Sequence, residues 1–343
     1  MNLAVQENFK NTEIQPILKK CKEIVTFFKS SNLATTKFKE EQRILWRGTV
    51  NENKTPYKLI QEVTTRWNSC FQMIKRILLT SNALNSTLLK LKNAPTPLTA
   101  DDIEILKDLE KCLSIFDDAT EKISGSKYVT VSLIIPISFG IYNFLNTANI
   151  STDLGKLFCQ GLIESTRNRL FTYESRTITR ISTILDPRWK KDGFRSAENA
   201  NQASCFLDQE MSPLMRNLKN NEGNEANGST NSPKSCLFGF MHEKNQQKSR
   251  NHIADAIIIK RQYLERQNLP EDGDPLLYWK LNNGELNPLQ ELVVRYLCTP
   301  GSSVESERNF SSAGLIINER RSRIKEKYVD QLIFVTKNAW LLS

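Results

Sequence analysis

The stretch GSSVESERNFSSAG, residues 301–314, sets Glu307 between Ser306 and Arg308 in a Ser- and Gly-rich run. A carboxylate placed there has two kinds of chemistry open to it. It can ligate a divalent cation, which takes oxygen donors. It can also lie in the first turn of a helix, where the dipole favours negative charge, and pair with Arg308. Two-ion phosphoryl transfer needs several carboxylates converging on one place. None of Asp101, Asp102, Asp117 or Asp186 completes such a set. Asp101 and Asp102 read as first-turn residues behind a Thr99 cap, and Asp186, ahead of Pro187, reads as a turn residue. The seven cysteines are scattered with no CxxC, and the histidines are His242 and His252. Zinc needs clustered thiolate and imidazole ligands, so no metal site is expected from this chain alone, and the cysteines read as reduced thiols.

A second chemistry is contact with polyanions. Lys and Arg number 47 against 38 acids, a net charge of +9 with a pI near 9.1. Such a surplus favours nucleic acid by releasing phosphate counterions, and equally fits an ordinary basic surface. Arg66 precedes Trp67, and Arg320, Arg321 and Arg323 form a basic run with Lys325 and Lys327. Either group offers phosphate contacts or a solvated helix face.

The elements that must position these residues are helical. Ile14, Ile17, Leu18, Cys21, Ile24, Val25 and Phe28 recur at three- and four-residue steps, the period of an amphipathic helix. Further helices are expected from Asn68 through Leu84, from Thr99 through Phe116, over 153–173 and over 253–266. The apolar run LIIPISFGIYNFL (133–145) is too short to span a membrane and predicts a buried helix. Near the end, Leu289, Leu292, Val293, Tyr296 and Leu297 make one apolar face, and Val329, Leu332, Ile333, Val335 and Trp340 another. LKNNEGNEANGSTNSPKS (218–235) carries almost no apolar side chain, so 196–252 is expected to be a largely disordered insert. The opening MNLAVQENFKN has no N-cap ahead of its apolar positions and no signal-peptide pattern, which predicts a chain cut from a longer one.

Several parts in fixed order then carry a resemblance. Pro300, Ser302, Ser303, Ser306-Glu307-Arg308, Phe310-Ser311, Ala313-Gly314, Arg320-Arg321-Ser322-Arg323 and Leu332-Ile333-Phe334 resemble the C-terminal tail of hAT-superfamily DNA transposases. TTRWNSCFQMIKRIL (64–78), LDPRWKKDGF (185–194) and DPLLYWK (274–280) resemble other segments of that family and of the BED zinc-finger proteins derived from it. The likeness implies a mostly α chain holding an incomplete RNase H-like core interrupted by a large helical insertion domain. It implies the division 1–60, core remnant; 61–195, helical insertion; 196–252, insert; 253–286, helical lead-in; and 287–343, dimerisation region.

In active members Glu307 would be the third carboxylate of an Asp-Asp-Glu site holding Mg²⁺. The two aspartates have no counterpart here, so no cofactor is expected for this chain alone. Trp67 would stack on extruded DNA, although a ring packed in the core is the equal alternative. Arg66, Arg320, Arg321 and Arg323 would contact DNA. Leu289, Leu292, Val293, Tyr296, Val329, Leu332 and Ile333 would hold a homo-oligomer together. A nuclear location follows, with no membrane and no small-molecule substrate. Two functions remain open: a truncated or domesticated derivative acting through dimerisation with weak nonspecific DNA association, and the C-terminal part of an active transposase.

Overall fold

A computed structural model describes residues 1–63, 65–225, 252–282, 284–317 and 324–339. Its chain is mostly α, and among the described residues there is no strand. The sheet expected of an RNase H-like core is therefore not among them. Contacts divide the chain into two units, residues 1–121 with 137–174, and 122–136 with 175–343.

The first unit contains α1 (Asn2–Phe9), α2 (Gln15–Ser30), α3 (Asn32–Trp46), α4 (Trp67–Leu89), most of α5 (Ala100–Ile123) and of α6 (Ile134–Thr147), and α7 (Asp153–Arg169). The three- and four-residue steps in α2 bury Ile17, Leu18, Cys21, Ile24, Val25 and Phe28 in one core. Phe71, Ile74 and Ile77 of α4 and Leu106, Leu109, Leu113 and Phe116 of α5 join it. The sequence separated residues 1–60 from 61–195, whereas the structure runs one apolar core through α1–α7. The expected cap of α5 is present: Asp102 N donates to Thr99 Oγ1 (3.1 Å) and Thr99 N to Asp102 Oδ2 (2.8 Å). This is the reciprocal arrangement of a capping box.

Asp108, buried on α5, starts α7. Its carboxylate accepts from Thr152 N and Thr152 Oγ1, both at 2.7 Å, and Thr152 in turn caps Gly155 N at 3.0 Å. A Cβ at Gly155 would lie 2.6 Å from Asp108 Oδ2, so only glycine allows the approach. Cys21, Cys70, Cys112 and Cys159 are buried free thiols, as the scattered spacing implied. Burial pushes the Cys21 thiol up to about 12 and raises that of Cys70 as well, which keeps both protonated and inert.

The second unit contains α8 (Thr177–Leu185), α9 (Ala197–Glu225), α10 (His252–Glu265), α11 (Pro275–Leu281), α12 (Asn287–Leu297), α13 (Val304–Ile316) and α14 (Glu326–Asn338). Within the expected insert, residues 197–225 form helix α9, with Ala200, Ala203, Leu207 and Met211 buried. Those four apolar side chains, at three- and four-residue steps ahead of the Asn-rich stretch, supply the burial that the composition of 218–235 lacks. Residues 226–251 lie outside the described residues. No described helix is long and apolar enough to cross a membrane.

The segment LDPRWK organises this unit. Asp186 is fully buried, and its carboxylate accepts from Ser132 Oγ (2.6 Å), Arg188 N (3.0 Å), Arg188 Nε (3.0 Å) and Arg188 Nη2 (2.7 Å). Its carbonyl accepts from Trp189 N and Lys190 N, closing the turn read from Asp before Pro. The carbonyls at the end of α8 are satisfied from afar: Tyr263 Oη donates to Ile184 O (3.1 Å) and Trp279 Nε1 to Leu185 O (2.9 Å). Lys190 has a left-handed φ of 44°, is buried, and donates its amine to Arg266 O just past α10. An ammonium there complements the negative helix end. Burial lowers its pKa.

Candidate functional site

The C-terminal helices are built from α12 outward. Leu289, Leu292, Val293 and Tyr296 occupy one helical stripe, and all four are buried in the second unit's own core. In this chain they pack within their own core, and the exposed apolar surface lies further along the C-terminal helices. The chain then turns through TPGSS. Gly301 N donates to Thr130 Oγ1 (2.8 Å) and Ser302 Oγ to Ile123 O (3.3 Å). A Cβ at Gly301 would lie 2.8 Å from Thr130 O, so the close approach fixes where α13 begins.

Glu305 and Glu307 both fall in the first turn of α13, as the dipole favours. Glu307 is exposed, and its carboxylate accepts from Ser303 Oγ at 3.3 Å. Glu305 does the pairing expected of Glu307. It receives Lys337 Nζ of α14 at 2.7 Å and Arg308 Nη1 at 3.1 Å. Lys337 and then Arg308 hold the Glu305 carboxyl below its ordinary value. The clasp is therefore complete above the usual glutamate range and is lost as pH falls through that lowered value.

The two clasped helices leave apolar surface uncovered. Phe310 is 77% exposed and Phe334 69%, with Ile317, Tyr328, Leu332 and Val335 also open. Of the expected association residues on α14, Val329 is buried, Ile333 half-buried and Leu332 exposed. Val335 lies on the apolar face read from the sequence, whereas Phe310 and Phe334 were named there as parts of the motif and not as association residues. The available signal was a lone Phe in a polar run and a Leu-Ile-Phe-Val block that makes α14 apolar on more than one face.

The other candidates fall elsewhere. Arg66 is exposed at the N-cap of α4. Trp67 is 3% exposed, its ring 6.2 Å from those of Phe71 and Phe116. A ring enclosed by two phenyl groups matches the core-packed alternative read for it from the sequence. Arg320, Arg321, Arg323 and Trp340 lie outside the described residues. Among the described residues no three His, Cys, Asp or Glu side chains come together as a metal site. Glu307, exposed and beside Arg308, does not form a two-ion centre with the acids described.

Among the described residues the regular elements are all helices, and the C-terminal pair leaves apolar side chains exposed. Comparison with known proteins finds similarity over two segments and along the chain. Residues 260–339 match the hAT family C-terminal dimerisation region, and residues 1–112 match the ZBED1 RNase-like helical domain. Over the whole chain it is 26% identical to zinc finger BED domain-containing protein 4 of Homo sapiens, covering 29% of that protein. Over 79% of the chain it is 23% identical to an AC transposase of Zea mays, covering 36% of it. The chain thus spans about a third of the length of the curated relatives it matches. The chain is therefore similar to hAT transposases at its C-terminal end and to BED zinc-finger proteins along its length.

Proposed function

We propose that this chain acts as a domesticated, transposase-derived association module. It pairs with a second copy through the exposed faces of α13 and α14, in the nucleus, with weak and nonspecific affinity for DNA. The observation that carries this reading is the uncovered group Phe310, Leu332, Phe334 and Val335 inside the region matched to the dimerisation family. Open apolar patches of this kind mark association sites, and aromatic side chains at their centre supply much of the binding energy.

Sedimentation of the purified chain is expected to show reversible, concentration-dependent association. Phe334→Asp with Val335→Asp weakens it by at least tenfold, about 1.4 kcal/mol. Both side chains are exposed, so circular dichroism of the variant remains that of the wild type. A wild-type chain that stays monomeric at about 50 µM, a concentration at which micromolar contacts are populated, refutes the reading.

The alternative, the C-terminal part of an active enzyme, makes Glu307 the third carboxylate of a metal site completed by other residues. In this chain Glu307 is exposed in the first turn of α13 and accepts from Ser303 Oγ, which supports a surface role at a helix start instead. Incubated with plasmid and Mg²⁺ or Mn²⁺, the chain is expected to leave the DNA intact, and Glu307→Gln to behave identically. Metal-dependent nicking that disappears in Glu307→Gln favours the enzyme.

A further inference from the structure

Basic side chains are unevenly spread in the first unit. Residues 37–92 carry eleven Lys and Arg against four Glu. Three of those glutamates are occupied: Glu41 pairs with Lys90, Glu62 with Lys22 at 2.9 Å, and Glu52 accepts from Gly48 N at 3.2 Å. Lys39, Arg43, Arg47, Lys54 and Lys58 have no acidic partner among the described residues.

The fold gathers these cations. On α3 the buried stripe is Ala34, Phe38 and Gln42. At a helical step of 100° per residue, Lys39, Arg43 and Trp46 fall on one flank of that stripe and Glu41 on the other. Arg47 continues the flank at the C-cap. The loop after α3 is then tied back onto the same side. Gln42 Nε2 donates to Tyr57 O (3.0 Å), and Tyr57 N donates to Gln42 Oε1 (2.8 Å). Tyr57 meets Trp46 edge-on at 5.6 Å between ring centroids. From α4, the Arg76 guanidinium lies 4.7 Å over the Tyr57 ring and donates to Lys58 O at 2.7 Å. A buried glutamine and a half-buried cation–aromatic stack therefore hold a polar loop against a basic helix flank.

We infer that the flank formed by Lys39, Arg43, Arg47, Lys58 and the Trp46–Tyr57–Arg76 stack binds the phosphate backbone of nucleic acid. Cations left without acidic partners gain most from phosphate, because no internal pair is broken and counterions are released. Contacts of this kind position a duplex without reading its sequence. The surface also lies far along the chain from the basic run at 320–323, so it assigns the DNA affinity to a different place.

The inference rests on the nonspecific DNA association proposed above, and the test separates the two. Affinity for a labelled duplex of mixed sequence is measured across a salt series for four proteins. These are the wild type, a stripe reversal (Lys39→Glu, Arg43→Glu, Arg47→Glu), a charge-matched reversal elsewhere (Lys10→Glu, Lys127→Glu, Lys280→Glu), and a charge-keeping stripe variant (Lys39→Arg, Arg43→Lys, Arg47→Lys). The stripe reversal is expected to bind at least tenfold more weakly than the charge-matched protein, with a salt slope shallower by about three, about one per cation removed. The charge-keeping variant is expected to match the wild type, which separates charge from folding. If the two reversals bind alike, the flank is refuted while the DNA association stands. If the wild type shows no binding at low salt, both fail together.

Discussion

Asp186→Ala is expected to lower the stability of the chain by about 3–5 kcal/mol, the cost of breaking a buried ion pair from one side. The carboxylate has no exposed surface, and the Arg188 side chain that pairs with it is 7% exposed. Removing Asp186 leaves the guanidinium, Ser132 Oγ and Arg188 N without that acceptor in a buried place. An unsatisfied buried donor costs its full desolvation, more when charged. The damage also spreads through the turn. Asp186 fixes the geometry in which α8 ends, where the Ile184 and Leu185 carbonyls receive Tyr263 and Trp279.

Asp186→Asn keeps an acceptor oxygen and loses the charge, so a smaller loss is expected. The double variant Asp186→Ala with Arg188→Ala leaves no orphan charge, and its loss is expected to fall short of the sum of the single variants. Urea denaturation of the four proteins measures this. A single-variant loss below about 1 kcal/mol, the range of ordinary substitutions, would show that the pair does not hold the turn.

What the sequence disclosed follows from which forces are local. The stripe in α2, the Thr99 cap and the Asp186 turn depend on residues a few positions apart, and each is present in the structure. The faces of α12 and α14 were read correctly as apolar, but periodicity does not say what covers an apolar face. Leu289, Leu292, Val293 and Tyr296 are covered by their own chain, while Leu332 and Phe334 are not. That outcome is decided by α8 and α9, more than 60 residues away in sequence. Glu307 was singled out because of its place in Ser-Glu-Arg, yet Glu305 makes the inter-helix pair. The difference is one of helical phase: Lys337 reaches Glu305 from α14, and nothing in the spacing near residue 307 announces it. Helix α9 was missed for a related reason, since four buried apolar side chains are diluted by the Asn-rich composition that follows them.

Trp67 is where the two readings of one residue separate by experiment. A base-stacking role requires an exposed ring, whose loss costs DNA affinity and leaves stability nearly unchanged. A core role reverses both outcomes. With 3% of its surface exposed and rings of Phe71 and Phe116 against it, Trp67 belongs to the second case. Trp67→Ala removes the largest side chain of the α4–α5 contact and opens a cavity, with an expected loss of about 3–5 kcal/mol. Trp67→Phe keeps most of the apolar volume and is expected to cost less, because the remaining void is smaller. Melting curves and duplex binding are measured on the same preparations. The Phe variant, which stays folded, is expected to bind DNA as the wild type does. A stable Trp67→Phe protein that has lost its DNA affinity would return the ring to the DNA.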